Sequence, residues 1–169
     1  MLNQLLSIPI LITKTGGITS ESNAEGGTKY PVKCVFENIQ KFKIKTAKHE
    51  QLTNITKISE KHEIENENEL TDKLSLLNNS KGNEYDYIVI EIPEKFLNGK
   101  NQFLKRVSLI DMIGVPDPTL KKLAHERNLI AIRNENLDVV FLVKRDGNDR
   151  GIVNAENLIN LNDSDIFVV

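Results

Sequence analysis

The stretch VSLIDMIGVPD, Val107 to Asp117, ends an apolar run with an aspartate, Asp111, and sets a glycine, Gly114, three positions later. A carboxylate at a strand tip can hold Mg2+, usually through water, because Mg2+ keeps several waters and takes one or two carboxylates beside phosphate oxygens. Gly114 has no Cβ, so its N–H can approach a phosphate closely. Asp and Gly are also ordinary turn residues. On spacing alone both readings stand.

Elements must position these groups. Leu2, Leu5, Leu6 and Ile10 lie at helical spacing with no N-cap before them, the pattern of a helix tail. TKTGGITSESNAEGGTKYP then reads as a long exposed loop. VKCVFENIQKFKIK, Val32 to Lys45, alternates apolar and polar residues, which predicts one or two half-buried antiparallel strands at a sheet edge. Glu50 to Asn79 sets Leu52, Ile55 and Ile58, then Leu70, Leu74 and Leu77, at spacings of three or four. That predicts one or two surface helices in a polar helical insertion spanning about 46–84. YDYIVIEIP is a strand closed by Pro93, and Phe103 to Ile110 a buried strand leading into Asp111. PTLKKLAHERNLIAIRNE predicts an amphipathic helix with Leu120, Leu123, Ala124 and Ile130 inward. LDVVFLV, NAENLINL and DIFVV follow as strand, short helix and strand. The order predicts an α/β fold: a mainly parallel, mixed sheet flanked by helices, with ligands beyond the carboxyl ends of its strands.

At 169 residues and 39% apolar content the chain suits one domain with a single core. A net charge of -2 supplies no overall field for nucleic acid or anionic lipid. Cys34 is the lone cysteine, so no internal disulfide forms, and no secretory leader opens the chain. Apolar runs such as Val139 to Val143 fall far below the roughly 20 residues that cross a bilayer. A cytoplasmic location is expected.

VSLIDMIGVPD, followed by a helix, LDVVFLV, another helix and DIFVV, resembles the core of a dynamin-like large GTPase, whose third nucleotide motif reads Leu-(Ile/Val)-Asp-x-Pro-Gly. LNQLLSIPILITKTGG resembles the helix after that family's phosphate loop, and GGTKYPV its first switch, Thr-Arg-x-Pro-(Ile/Val). The resemblance implies a P-loop NTPase-like three-layer core and Mg2+-assisted hydrolysis of GTP. It makes Thr28 the switch threonine that contributes to Mg2+ and orients the hydrolytic water, with Lys29 and Pro31 matching the flanking pattern. Thr19 is the competing candidate, and Pro31 favours Thr28. Asp111 and Gly114 match the third motif, Asp111 as the metal-side carboxylate and both as nucleotide contacts. GTP is the implied partner, a homodimer through the nucleotide face the implied assembly, and membrane association a property of the parent protein only.

The chain departs from the pattern in three places. Ile113 stands where the family has proline. No Gly-x-x-x-x-Gly-Lys-(Ser/Thr) occurs; Gly99-Lys100 is followed by Asn101. No Thr-Lys-x-Asp guanine-reading motif follows DIFVV. Residues 1–169 therefore read as an internal fragment of a GTPase domain, truncated at both ends and weak or inactive alone, because phosphate-loop amides and lysine carry much of phosphate binding. The alternative is a non-catalytic α/β protein-interaction module that meets its partner through the Asn/Glu-rich helices.

Other groups carry bland readings. Asp146 to Asn157 nearly fits a calcium loop, but Arg150 falls on a ligand position and Asn157 where a bidentate Glu is needed. His49, His62 and His125 lie in polar, helical settings without metal-ligand spacing. Cys34 in an alternating strand is a structural thiol. QKFKIKTAKH reads as a solvated strand face rather than a nucleic-acid site.

Overall fold

The computed structural model describes residues 29–50, 55–79, 85–97, 99, 101–113, 122–135, 139–142 and 165–168. It is an α/β fold. The chain divides into two compact units, Met1–Met112 and Ile113–Val169.

The first unit is built on a mixed five-stranded sheet of β1 (Val32–Glu37), β2 (Phe42–Glu50), β3 (Ile55–Ile64), β4 (Tyr87–Pro93) and β5 (Leu109–Asp111), in the order β3-β2-β4-β1-β5. β1 runs parallel to β4, whereas the β1–β5, β2–β3 and β2–β4 pairs are antiparallel. The mainly parallel sheet expected from the sequence is therefore corrected for this unit. In the second unit β6 (Val139–Leu142) and β7 (Asp165–Val168) pair in parallel, as the apolar runs LDVVFLV and DIFVV predict.

Cross-strand partners share a sheet face, and the registers assemble that face row by row. Leu109, Cys34, Ile90, Ile44 and His62 form one row across all five strands. Asp111, Val32, Ile88 and Thr46 form the next, across β5, β1, β4 and β2. Helix α1 (Glu67–Asn79) contributes Leu70, Leu74 and Leu77 to the same core, as their spacing of three or four predicts. The opposite face carries Lys33, Val35, Val89, Glu91, Lys43 and Lys45, all half-buried.

The N-terminus of α1 is capped from the sequence NENE. Asn66 Oδ1 accepts the Glu69 N–H at 3.0 Å, while Glu69 Oε2 accepts the Glu65 N–H at 3.0 Å. This is a capping box shifted by one residue, and with Glu67 and Glu69 in the first turn it also complements the helix dipole.

Four expectations need correction. Val32 to Lys45 forms two strands, as allowed, yet neither is an edge, because β3 flanks β2 and β5 flanks β1 on their outer sides, with β4 between the two. Residues 55–64 form a strand rather than helix: Ile55 and Ile58 are three apart, but hairpin pairing with β2 and the β-branched Ile55, Thr56, Ile58 and Ile64 favour an extended chain. The segment before Asp111 is largely a 3-10 turn, Gln102–Arg106, and β5 is a short, half-buried edge strand. Helix α2 (Lys122–Glu135) buries Arg127, Asn128, Ala131 and Ile132, and leaves Leu123 exposed and Ile130 half-buried. The reason is a polar anchor on its inner face, described below. The helix tail of residues 1–11, the loop up to Thr28, NAENLINL and the calcium-like loop lie outside the described residues.

Candidate functional site

Asp111 is the last residue of β5, and its Cα partner is Val32, the first residue of β1. Because the strands are antiparallel, the end of β5 and the start of β1 coincide. The rule for ligands beyond the carboxyl ends of parallel strands does not place Asp111, whose strand runs against β1. What places it is the entry to β1, the segment that follows Thr28 by four residues. The carboxylate is half-buried, on the sheet face it shares with Val32 and Cys34. Burial first, and then the charge of Asp111, push the Cys34 thiol far above the ordinary thiol range. Cys34 is thereby a neutral, inert thiol, in accord with its structural reading.

The entry to β1 is firmly held. The Lys29 N–H is donated to Asn78 Oδ1 at 2.7 Å. Tyr30 is buried, with its ring centroid 4.4 Å from that of Tyr85 at 35°. The Tyr85 hydroxyl in turn donates to the Leu77 carbonyl at the end of α1. Pro31 O accepts the Ile88 N–H at 3.0 Å. Three successive residues are thus tied to α1 and β4. Within the second unit, both polar ends of the Asn128 carboxamide engage Ile113: Nδ2 donates to Ile113 O at 2.9 Å, and Oδ1 accepts the Ile113 N–H at 3.2 Å. Asn128 behaves like a neighbouring strand at that residue.

Of the residues singled out in the sequence, Asp111 is described and stands at the entry to β1; Thr28, Thr19 and Gly114 lie outside the described residues. Lys29 and Pro31 are described, the first exposed and the second buried. His49 and His62 sit on β2 and β3, half-buried, rather than on helices. Among the described residues no group of three or more His, Cys, Asp or Glu could hold a metal. No helix among them is long and apolar enough to cross a membrane.

Asn78 and Asn128 are the residues that pattern reading missed. A signal existed, since asparagine is a poor helix former and favours backbone hydrogen bonds. An asparagine on the inward side of a helical repeat is therefore a candidate anchor.

No protein-family model matches this chain, and no curated protein or solved structure does.

Proposed function

We propose that this chain is part of a dynamin-like GTPase domain with a P-loop NTPase-like core, in which Thr28, Asp111 and Gly114 face Mg2+ and the last phosphate of GTP. The observation that carries the reading is the Val32–Asp111 pairing, which brings the described residues after Thr28 and the Asp111 carboxylate to one end of the β1–β5 pair. Antiparallel pairing of these strands is what two nucleotide loops need in order to meet. The parallel β6–β7 pair adds the α/β character expected of the remaining core.

The donor set fits the metal. A carboxylate and a hydroxyl are hard oxygen donors, and Mg2+ needs few protein ligands when phosphates and waters supply the rest. Asp111 and Thr28 would hold it, and bound there it would neutralise charge developing on the phosphate oxygens. The resemblance to the family would give Thr28 the orienting of the attacking water and the Gly114 N–H a phosphate contact. Positioning and charge stabilisation make up most of such catalysis. Because residues 1–169 contain no phosphate-loop sequence, binding by this chain alone is weak.

Isothermal titration of Mg2+ and GTP into the chain and into Asp111→Ala tests the reading. A small heat, saturating well above micromolar GTP, needing Mg2+ and lost in Asp111→Ala, is expected. Micromolar binding would contradict the weak-alone expectation. A silent titration up to millimolar GTP, or one indifferent to Asp111→Ala, would instead favour the non-catalytic interaction module.

A further inference from the structure

The last turn of α1 and the segment entering β1 are held by the same few side chains, and we infer that they form one lock that opens and closes as a unit, with Tyr85 as the piece that joins them. The inference stands apart from the GTP reading. All of its residues belong to the first compact unit.

α1 reaches its C-terminus without a charged cap. The last carbonyls of a helix have no partner within it, and no basic side chain stands in the last turn of α1. The Tyr85 hydroxyl supplies a donor from outside the helix, to the Leu77 carbonyl. The Tyr85 ring in turn lies against Tyr30, centroid to centroid 4.4 Å. Tyr30 follows Lys29, whose N–H is donated to Asn78 Oδ1, on the residue next to Leu77. The contacts therefore close a ring, from the helix end to Tyr85, from Tyr85 to Tyr30, and from Lys29 back to the helix end.

A ring of this kind couples its members. Leu77 and Asn78 are neighbours in one helical turn, so unwinding that turn withdraws both the carbonyl that Tyr85 caps and the carboxamide that holds Lys29. Breaking only one contact strands a buried polar group, Asn78 being 1% exposed, whereas full opening gives both groups to water. Release of α1 therefore frees the entry to β1, and by reciprocity a fixed entry tightens α1. The helix is a handle on the start of β1.

The coupling carries a sign that two separate anchors lack. Alanine is a better helix former than asparagine, so in an independent helix end Asn78→Ala raises the protection of last-turn amides. In the lock it lowers that protection, because the tie to Lys29 is gone. Tyr85→Phe keeps the ring and removes the hydroxyl bonded to Leu77, yet in the lock it also exposes the Lys29 N–H, which is bonded to Asn78.

The test is amide hydrogen exchange on the full chain, read as protection factors at Lys29 and at Leu76 and Leu77 in the last turn of α1. Ile44 and Ile90, on strands paired on both sides, monitor the sheet. Expected in Tyr85→Phe is a loss of about tenfold, the equivalent of one lost hydrogen bond, by the same factor at Lys29 and in the last turn, as a shared opening requires. Asn78→Ala should lower protection at Leu76 and Leu77 as well as at Lys29, with Ile44 and Ile90 unchanged in both variants. Unchanged protection of Lys29 in Tyr85→Phe, or raised last-turn protection in Asn78→Ala, overturns the lock and leaves two separate anchors. A loss shared equally by Ile44 and Ile90 overturns it too, since the opening is then that of the whole sheet.

Discussion

Val32 and Asp111 face each other across β1 and β5, so the first residue of one strand meets the last residue of the other. That single register joins two segments 79 positions apart in the chain (111 − 32). It sets the Asp111 carboxylate at the entry to β1.

The same sheet face holds a buried hydroxyl. Thr46 shares a row with Val32 and Ile88, is fully buried, and its Oγ1 finds no partner among the described residues. Thr46→Val keeps the β-branched shape and removes the desolvated hydroxyl. Stabilisation of about 1–2 kcal/mol is expected. Urea unfolding reads it directly, and a lower midpoint for the valine variant would mean that the hydroxyl is satisfied in solution.

Cys34 sets a pH dependence. Its thiol is raised in the folded state, so the stability it contributes is complete below the ordinary thiol value of 9.0 and declines as pH rises beyond it, because the unfolded chain then sheds the proton. Unfolding free energies measured from pH 7 to pH 10.5 should fall above pH 9, and fall less steeply in Cys34→Ala. The native thiol should also resist a disulfide reagent at pH 8 until the sheet opens. Rapid native labelling would contradict the burial.

On the opposite face Lys45 contacts Glu91, with side chains 19% and 14% exposed. Burial, then the charges of Lys61 and Lys43, press the Lys45 pKa below the ordinary lysine value, while Glu37 opposes them. Glu91→Gln removes the contacting counter-charge and is expected to cost about 1–3 kcal/mol at pH 7. A lysine lowered in the folded state is penalised below its folded pKa, and the penalty fades as pH rises from there toward 10.5, where the unfolded chain holds the extra proton. The difference between Glu91→Gln and wild type, in which the Cys34 effect cancels, should therefore shrink between pH 7 and pH 10.5. A difference that grows with pH would contradict this assignment.

Local pattern carried much of the fold. Leu70, Leu74 and Leu77 repeat at helical spacing and are buried, and Ile88, Ile90 and Ile92 alternate with half-buried neighbours as YDYIVIEIP requires. Pairing direction left no such trace. Nothing in VKCVFE says that β4 will lie beside it in parallel and β5 against it, since alternation marks a face and not a partner. Ile55 and Ile58 mislead for a related reason: three-residue spacing suits a helix until a hairpin claims the segment. Of the candidate residues only Asp111 is described, and its place beside the entry to β1 follows from strand pairing; the contacts of Asn78 and Asn128 reach 49 and 15 residues away in sequence, beyond what local pattern records.

The most direct test of the account replaces Mg2+ with paramagnetic Mn2+, which accepts the same oxygen donors, in the presence of GTP, and follows amide signals of the chain. The account predicts selective broadening at Lys29, Val32 and Asp111 through Ile113, absent without GTP and abolished by Asp111→Ala. Broadening centred elsewhere, or unchanged by Asp111→Ala, would contradict a metal and phosphate site at the junction of β1 and β5.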